Sequence, residues 1–368
     1  MKKVEKVKTV GILGGGQLGR KLVEACSRRG LKTIVLCPPG DNPAMDVATK
    51  RLVSPYDHEG NLSTFAKEAD VITYEFENVP LQTVRYLEGL VSVYPQSNIL
   101  EVSQDRYLEK SFARKNRVPI PDFEFFNSHP TIHTTRRRLL PGFLKTVRGG
   151  YDGKGQRKVL PDESAVLKWQ ELGVPCILEK AVDFECEISV IVCRDREGNT
   201  ACYPPIENVH KHGILHKSFY PIRVDAEGIR RSFDPESVRT KAEDLALKLA
   251  IELNLVGILA VEMFVLADGT VLFNEMAPRP HNSGHLTIEA CYSSQYDQLA
   301  RILVRDPLGS TEFHSEAQMI NLLGEDILQI KKYLRMSNAT VHVYGKEEIK
   351  PGRKMGHVTI TGAHSFAA

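Results

Sequence analysis

Short apolar runs at Thr9–Leu13, at residues 32–36 (KTIVL), at Val71–Tyr74 and at residues 91–94 predict four buried strands. Helical periodicity lies between them, from the glycine-rich GGGQLGR to Arg29, over residues 62–69 and over Leu81–Glu88. Strands alternating with helices in this way predict a parallel, doubly wound sheet. The pattern then changes. Residues 105–116 (DRYLEKSFARKN) form a charged helix closed by Pro119 and Pro121, and residues 142–147 form a strand running into RGGYDGKGQ. Further strands fall at 176–178 and 187–192, an amphipathic helix at 238–253, and two strands at 259–265 and 270–274 around Ala267, Asp268 and Gly269. This middle part reads as α+β with antiparallel hairpins, and a tail from about Tyr296 adds strands near 340–344 and 357–360. The expected division is an N-terminal domain over 1–97, a central domain over 98–295 and a small C-terminal domain over 296–368.

Composition narrows the function. At 368 residues the chain has room for two or three domains with full cores. A formal net charge of +2 argues against a general binder of nucleic acid or of a membrane surface, while leaving room for local phosphate pockets. Seven cysteines without C-x-x-C spacing predict reduced thiols and a cytoplasmic setting. No signal peptide is read at the basic N-terminus, and no apolar stretch approaches the ~20 residues of a membrane span. The basic cluster TTRRR at 134–138 reads as a solvated face.

Four features carry chemistry. Gly14, Gly16 and Gly19 follow a strand and open a helix, the setting of a dinucleotide fingerprint. The acidic residue that would hold a ribose is missing, with Cys37 in its place, so the motif reads either as a phosphate contact or as a tight turn. Arg148 to Gln156 hold glycines at 149, 150, 153 and 155, a loop that can fold over a polyanion, with Lys145 on the strand entering it. Asp268-Gly269 predicts a two-residue hairpin turn that sets Glu262 opposite Glu275, Cβ atoms about 5 Å apart, an arrangement suited to a divalent cation with Asn274 nearby. APRPHNSGH projects Arg279 and His281 just beyond that hairpin, and YGKEEIKPGRKMGH gathers Lys346, Arg353 and Lys354. The irregular spacing of His210, His212 and His216 argues against zinc.

GILGGGQLGR, YEFENVP, KTVRGGYDGKGQ, LAVEMF, NEMAPRPHNSGH and YGKEEIKPGRKMGH, in this order over about residues 9–360, resemble the N5-carboxyaminoimidazole ribonucleotide synthase family of ATP-grasp ligases. The resemblance implies an ATP-grasp fold preceded by a doubly wound pre-ATP-grasp domain and followed by a small C-terminal domain. It implies a homodimer that uses ATP, Mg²⁺ (or Mn²⁺) and bicarbonate to carboxylate 5-aminoimidazole ribonucleotide through carboxyphosphate, in purine biosynthesis. It assigns the nucleotide site to Arg106, Lys145, Gly150, Tyr151, Asp152, Gly153, Lys154, Gly155, Gln156, Glu179, Lys180, Ala181, Val182, Glu187, His210, Asn274 and Glu275. Metal falls to Glu262 and Glu275. The ribonucleotide falls to Gln17, Glu75, Tyr151, Asp152, Lys346 and Arg353. Asp152, Arg279 and His281 take the catalytic roles: Asp152 on the acceptor amine, Arg279 and His281 on bicarbonate or carboxyphosphate. The chain departs from the family in a short basic stretch at 127–141 and a small insertion at 226–235, and lacks a mutase-type second domain, so only the ligase step is expected. The competing readings are a formate-dependent glycinamide ribonucleotide transformylase, also an ATP-grasp ligase, and a dinucleotide-dependent oxidoreductase.

Overall fold

The computed structural model describes residues 8–126, 138–150, 154–226 and 229–362. Tyr151, Asp152, Gly153 and residues 127–137 of the basic stretch, to which the sequence analysis gave roles, lie outside the described residues.

The N-terminal sheet holds β1 (Thr9–Leu13), β2 (Lys32–Cys37), β3 (Lys50–Val53) and β4 (Val71–Tyr74), all parallel, in the order β3-β2-β1-β4. The buried runs of β1, β2 and β4 are apolar almost throughout because helices cover both faces. Two expectations change here. β3 has the sequence KRLV and lies exposed at the sheet edge, so it shows no apolar run to find. Residues 91–94 give only an isolated bridge, Ile72 to Val93, before the chain leaves at Pro95.

The central part contains two antiparallel sheets. The smaller has β5 (Phe123–Phe126), β6 (Gly142–Thr146), β7 (Gln156–Val159) and β8 (Cys176–Lys180) in the order β5-β8-β6-β7. The larger collects β9 (Cys186–Arg194), β10 (Thr200–Cys202), β11 (Ile206–Lys211) and β12 (Ile214–Tyr220). A short ribbon, β13 (Asp225–Ala226) with β14 (Ile229–Arg230), interrupts the sequence before β15 (Gly257–Val265) and β16 (Val271–Ala277) continue the large sheet. The tail strands β17 (Ala317–Leu323), β18 (Ala339–Val343) and β19 (Lys354–Thr361) do not build a sheet of their own. They extend the large one to the order β16-β15-β9-β11-β12-β17-β19-β18, with β10 on β9.

Helices fix this sheet on both sides. Asp234 caps the helix Pro235–Glu252, with proline at its first turn, and Val238, Leu245 and Leu249 bury against β9 and β15. On the other face lies Gln295–Val304, started by the capping box of Ser294 and Asp297. Its Leu299 and Ile302 share a core with Leu22 and Cys26 of the helix Gln17–Arg28, so the N-terminal sheet is packed onto the large one through these two helices.

The β15–β16 hairpin departs from its predicted turn. Leu266 N donates to Thr270 O and Gly269 N to Leu266 O, both at 2.9 Å, so the loop is Ala267-Asp268-Gly269 and not two residues. Asp268 Oδ1 accepts from Thr270 N at 2.8 Å, which favours the longer turn. Val265 therefore faces Val271, and Met263 faces Phe273. A bulge then leaves Asn274 unpaired and shifts the register back, so Glu262 faces Glu275 after all. Gly269 sits at φ +74°. Gly269→Ala should therefore lower unfolding free energy by about 1 kcal/mol in urea titrations, the scale of a non-glycine residue forced left-handed; unchanged stability contradicts this turn.

Candidate active site

A cavity of about 350 Å³ opens between the small sheet, the large sheet and the helix Arg106–Lys115. Each wall presents one set of charged groups.

The helix Arg106–Lys115 forms the floor. Asp105 caps it by accepting from Tyr107 N and Leu108 N, both at 3.1 Å, and also accepts from Arg148 Nε at 3.1 Å. Arg106 at its first turn donates to Thr146 O at 3.1 Å and Gly150 O at 3.2 Å, tying the start of the glycine loop to the helix. A Cβ on Gly150 would stand 2.8 Å from Lys154 O and 2.9 Å from this guanidinium, so the loop closes only with glycine there.

One turn on, buried Lys110 meets buried Glu179 of β8 at 2.7 Å, and Lys145 of β6 meets the other oxygen of the same carboxylate at 2.5 Å. Burial opposes the charge on Glu179, but the two ammonium groups outweigh it and hold the carboxyl down at about 2. Glu179 was expected in a hinge that reads the nucleotide base. Its side chain bridges two lysines, and Glu179, Lys180 and Val182 all line the cavity.

The large sheet supplies the acidic wall. Glu262 on β15 and Glu275 on β16 face one another, and the Asn274 bulge lets successive residues of one strand both line the cavity. Glu262 Oε1 lies 2.9 Å from His281 Nε2. Burial would raise Glu262, yet the imidazole beside it holds it at about 2. Glu275 has Arg106 at 3.8 Å. Behind it Glu109 accepts from Met276 N at 2.7 Å and is pushed up to about 8, by burial and then by Glu275. On β9 and β11, Glu187 and His210 meet at 2.7 Å; burial lowers the His210 pKa, but the Glu187 hydrogen bond raises it further, for a net increase.

The segment 277–285 closes the remaining side. His281 is fixed through its main chain by Gln295, which accepts at 2.8 Å and donates at 2.7 Å, and through Nδ1 by Ser283 at 2.8 Å. Arg279 is paired with Glu77, one contact being 2.7 Å.

Most of the described residues expected at the site thus come together. Lys154, Gln156 and Gly150 line the cavity with the groups above, while Gly155 and Ala181 lie beside it in sequence but not in its wall. Gln17, Glu75, Lys346 and Arg353 do not line it either. Gln17 and Lys346 adjoin it: Lys346 donates to Gln17 at 2.9 Å, and Gln17 reaches the lining residue Asn282 at 3.5 Å. Burial, then Arg353, pushes Lys346 down to about 8. Arg353 pairs with Asp41 at 2.8 Å. Glu75 is held within its own domain. Its two oxygens accept from Gly16 N at 2.8 Å and Gly19 N at 3.0 Å, so a carboxylate of the chain itself occupies the N–H groups a pyrophosphate would need. The dinucleotide reading fails on that contact.

Comparison with known proteins places the fold. Residues 7–104 match the ribonucleotide synthetase preATP-grasp domain, 111–296 the ATP-grasp domain, and 317–367 the phosphoribosylaminoimidazole carboxylase C-terminal domain. An N5-carboxyaminoimidazole ribonucleotide synthase of Brucella melitensis is 44% identical over 95% of both chains. The chain belongs to the N5-carboxyaminoimidazole ribonucleotide synthase family. Among solved members of that family, an ADP complex superposes with a TM-score of 0.90 at 40% identity, over 98% of this chain and 94% of that one. The Aspergillus clavatus synthase, solved with ADP and 5-aminoimidazole ribonucleotide, gives 0.87 at 28% identity, over 99% and 96%.

Three site residues escaped the sequence reading: Glu77, Glu109 and Lys110. Their signals were present. Glu109 and Lys110 stand three and four residues after Arg106, on the same helical face. Glu77 lies within the YEFENVP motif.

Glu179 yields a pH prediction. Its depressed carboxyl pKa contributes stability that is fully present above the ordinary glutamate value of about 4.3 and is lost as pH falls towards about 2. Glu179→Gln should therefore cost about 3–5 kcal/mol at pH 7, the scale of a broken buried pair. Urea unfolding at pH 7, 4 and 3 should show the gap to wild type narrowing as acid protonates this glutamate in the unfolded wild-type chain while the folded one stays ionised; a gap independent of pH contradicts the pairing.

Proposed function

We propose that this chain carboxylates the exocyclic amine of 5-aminoimidazole ribonucleotide, using ATP and bicarbonate and releasing ADP and phosphate. The observation that carries the proposal is the shared cavity. Phosphate-binding groups (Lys145, Arg106 and the loop at Gly150), an opposed carboxylate pair (Glu262 and Glu275) and an oxyanion-binding arm (Arg279 and His281) line one volume. A ligase that joins a phosphorylated one-carbon anion to an amine needs those three functions within reach of one another.

ATP lies with its phosphates against Lys145, Arg106 and the turn at 154–155 that leads into β7, and its base and ribose towards Lys180, Val182, Glu187 and His210. The donor set of Glu262, Glu275 and Asn274, oxygen throughout, fits Mg²⁺ or Mn²⁺, and opposed carboxylates make chemical sense with such an ion. When bound, the ion supplies charge neutralisation at the phosphates.

Bicarbonate attacks the γ-phosphorus; a P–O bond forms, the bond to ADP breaks, and carboxyphosphate results. Arg279 and His281 hold this anion, and Glu262 keeps the His281 ring oriented at 2.9 Å. The amine nitrogen then bonds to the carboxyl carbon, phosphate leaves, and the amine loses its proton, a role the family resemblance gives to Asp152, with Tyr151 placing the ring. Lys346, Gln17 and Arg353 hold the ribonucleotide.

The same reading makes the enzyme a cytoplasmic homodimer with domains at 1–97, 98–295 and 296–368. All seven cysteines are free and six are buried, which suits a reducing compartment. Among the described residues no helix is long and apolar enough to cross a membrane.

ADP release should require both aminoimidazole ribonucleotide and bicarbonate, and formate should not replace bicarbonate. Release that ignores either substrate contradicts the proposal. Glu275→Gln should lower kcat by at least about 100-fold, since it removes a charge that holds the cation at the phosphates; full activity in that variant contradicts the metal role.

A further inference from the structure

Behind the Lys346 hairpin lies a buried stack of aromatic polar rings that the reaction above does not use. His285 lies flat on His357, centroids 4.3 Å apart at 5°, and His357 lies on His342 at 4.5 Å. Tyr344 at the end of β18 puts its hydroxyl 3.1 Å from His285 Nε2 and 2.7 Å from His357 Nδ1. Tyr296 meets His285 Nδ1 at 3.0 Å, and Asn282 Oδ1 meets His285 Nε2 at 3.1 Å. His285, His357 and Tyr344 are completely buried.

The donors and acceptors can be assigned in sequence. Asn282 Oδ1 only accepts, so His285 Nε2 carries the proton and Nδ1 accepts from the Tyr296 hydroxyl. Tyr344 then donates to His357 Nδ1. Burial, with nearby positive groups, pushes both histidines well below their ordinary pKa, so each is neutral with one donor and one acceptor. Nearby Glu289, His342 and His357 gather in a way that resembles a metal site. The Lys21 ammonium, 2.9 Å from His342 Nδ1, can only donate; the ring proton is therefore on Nε2, towards Glu289 at 2.5 Å, and that nitrogen has no lone pair for a metal.

This cluster joins segments that are far apart in sequence and that handle different substrates. One end is Asn282, next to His281 and within the cavity. The other is Tyr344, two residues before Lys346, and Tyr344 N donates to Met355 O at 3.0 Å to close the base of the hairpin. Lys346 and Asn282 meet again through Gln17, so the connection forms a closed circuit. An apolar core would fill the same volume without fixing any such distance.

We propose that His285 and Tyr344 are positioning residues that set Lys346, and with it the amine acceptor, at a fixed distance from the Arg279–His281 arm that holds the carboxyl donor. The inference rests on the functional reading above. Removing either link leaves the nucleotide contacts intact and loosens only the acceptor, so nucleotide cleavage and carboxyl transfer fall out of step.

The test uses the full-length enzyme with Tyr344→Phe, which removes one hydroxyl, and His285→Phe, which keeps a flat ring on His357. Bicarbonate fixation with labelled carbon is measured beside ADP release. The KM for aminoimidazole ribonucleotide should rise about ten-fold in each variant, the scale of one lost buried hydrogen bond, with the KM for ATP unchanged. The ratio of ADP released to carbon fixed should rise above the wild-type ratio. If both KM values stay at wild-type levels, or if KM rises for both substrates while kcat and the melting temperature fall, the positioning role is overturned. If His285→Phe does not fold, Tyr344→Phe alone decides. Wild-type enzyme that fixes no carbon on this acceptor overturns the functional reading itself, and the inference with it.

Discussion

Two carboxylates placed opposite one another on neighbouring strands repel, and the rest of the site is arranged around that cost. Glu262 and Glu275 are brought together by backbone pairing that neither side chain can avoid. The chain answers from three directions: His281 stands on Glu262, Arg106 approaches Glu275, and Asn274 is turned inward by a bulge. One layer deeper, burial first and the Glu275 charge second act on a further carboxyl. Glu109, behind Glu275, holds its proton up to about pH 8, which spares the core a third adjacent charge. Such a wall is well suited to face a cation and the phosphates it accompanies.

The opposite wall solves the converse problem. On the proposed function Lys145 serves phosphate, yet it sits where an isolated ammonium is costly. Glu179 shares itself between Lys145 and Lys110. A phosphate oxygen arriving at Lys145 competes with Glu179 for it, and Lys110 keeps that carboxylate from being left unpaired. Exchange of one anion for another at Lys145 then costs less than creating or burying a lone charge. Arg279 stands in a comparable relation to Glu77 at the far side of the cavity.

How much of this could be read from the sequence depended on how local the cause was. The strands β1, β2 and β4 announce themselves because both faces are buried and the residues are apolar without interruption. β3 does not, because its pairing with β2 is imposed by the sheet and its own residues are charged. The facing of Glu262 and Glu275 was legible, though through a turn one residue too short and a bulge that corrected it; a register argument is blind to such paired offsets. The glycine motif at 14–19 was ambiguous because its decisive partner, Glu75, lies 56 residues beyond Gly19, at the end of β4, which only the folded sheet sets beside β1. Glu109 and Lys110 passed as ordinary charges of a solvated helix, since nothing in that helix says that β8 and β16 pack across it. The tail read as a separate small unit because the strand that joins it to the large sheet, β17, pairs with β12, about a hundred residues earlier.

On the proposed function one cavity activates bicarbonate by phosphorylation and then transfers its carbon to an amine. The most direct measurement follows the oxygen atoms. Enzyme turning over with ATP, 5-aminoimidazole ribonucleotide and ¹⁸O-labelled bicarbonate in unlabelled water should release inorganic phosphate that carries one oxygen from bicarbonate, as the carboxyphosphate path requires. Phosphate whose new oxygen comes only from water would mean that ATP is hydrolysed without activating bicarbonate, and would contradict the account.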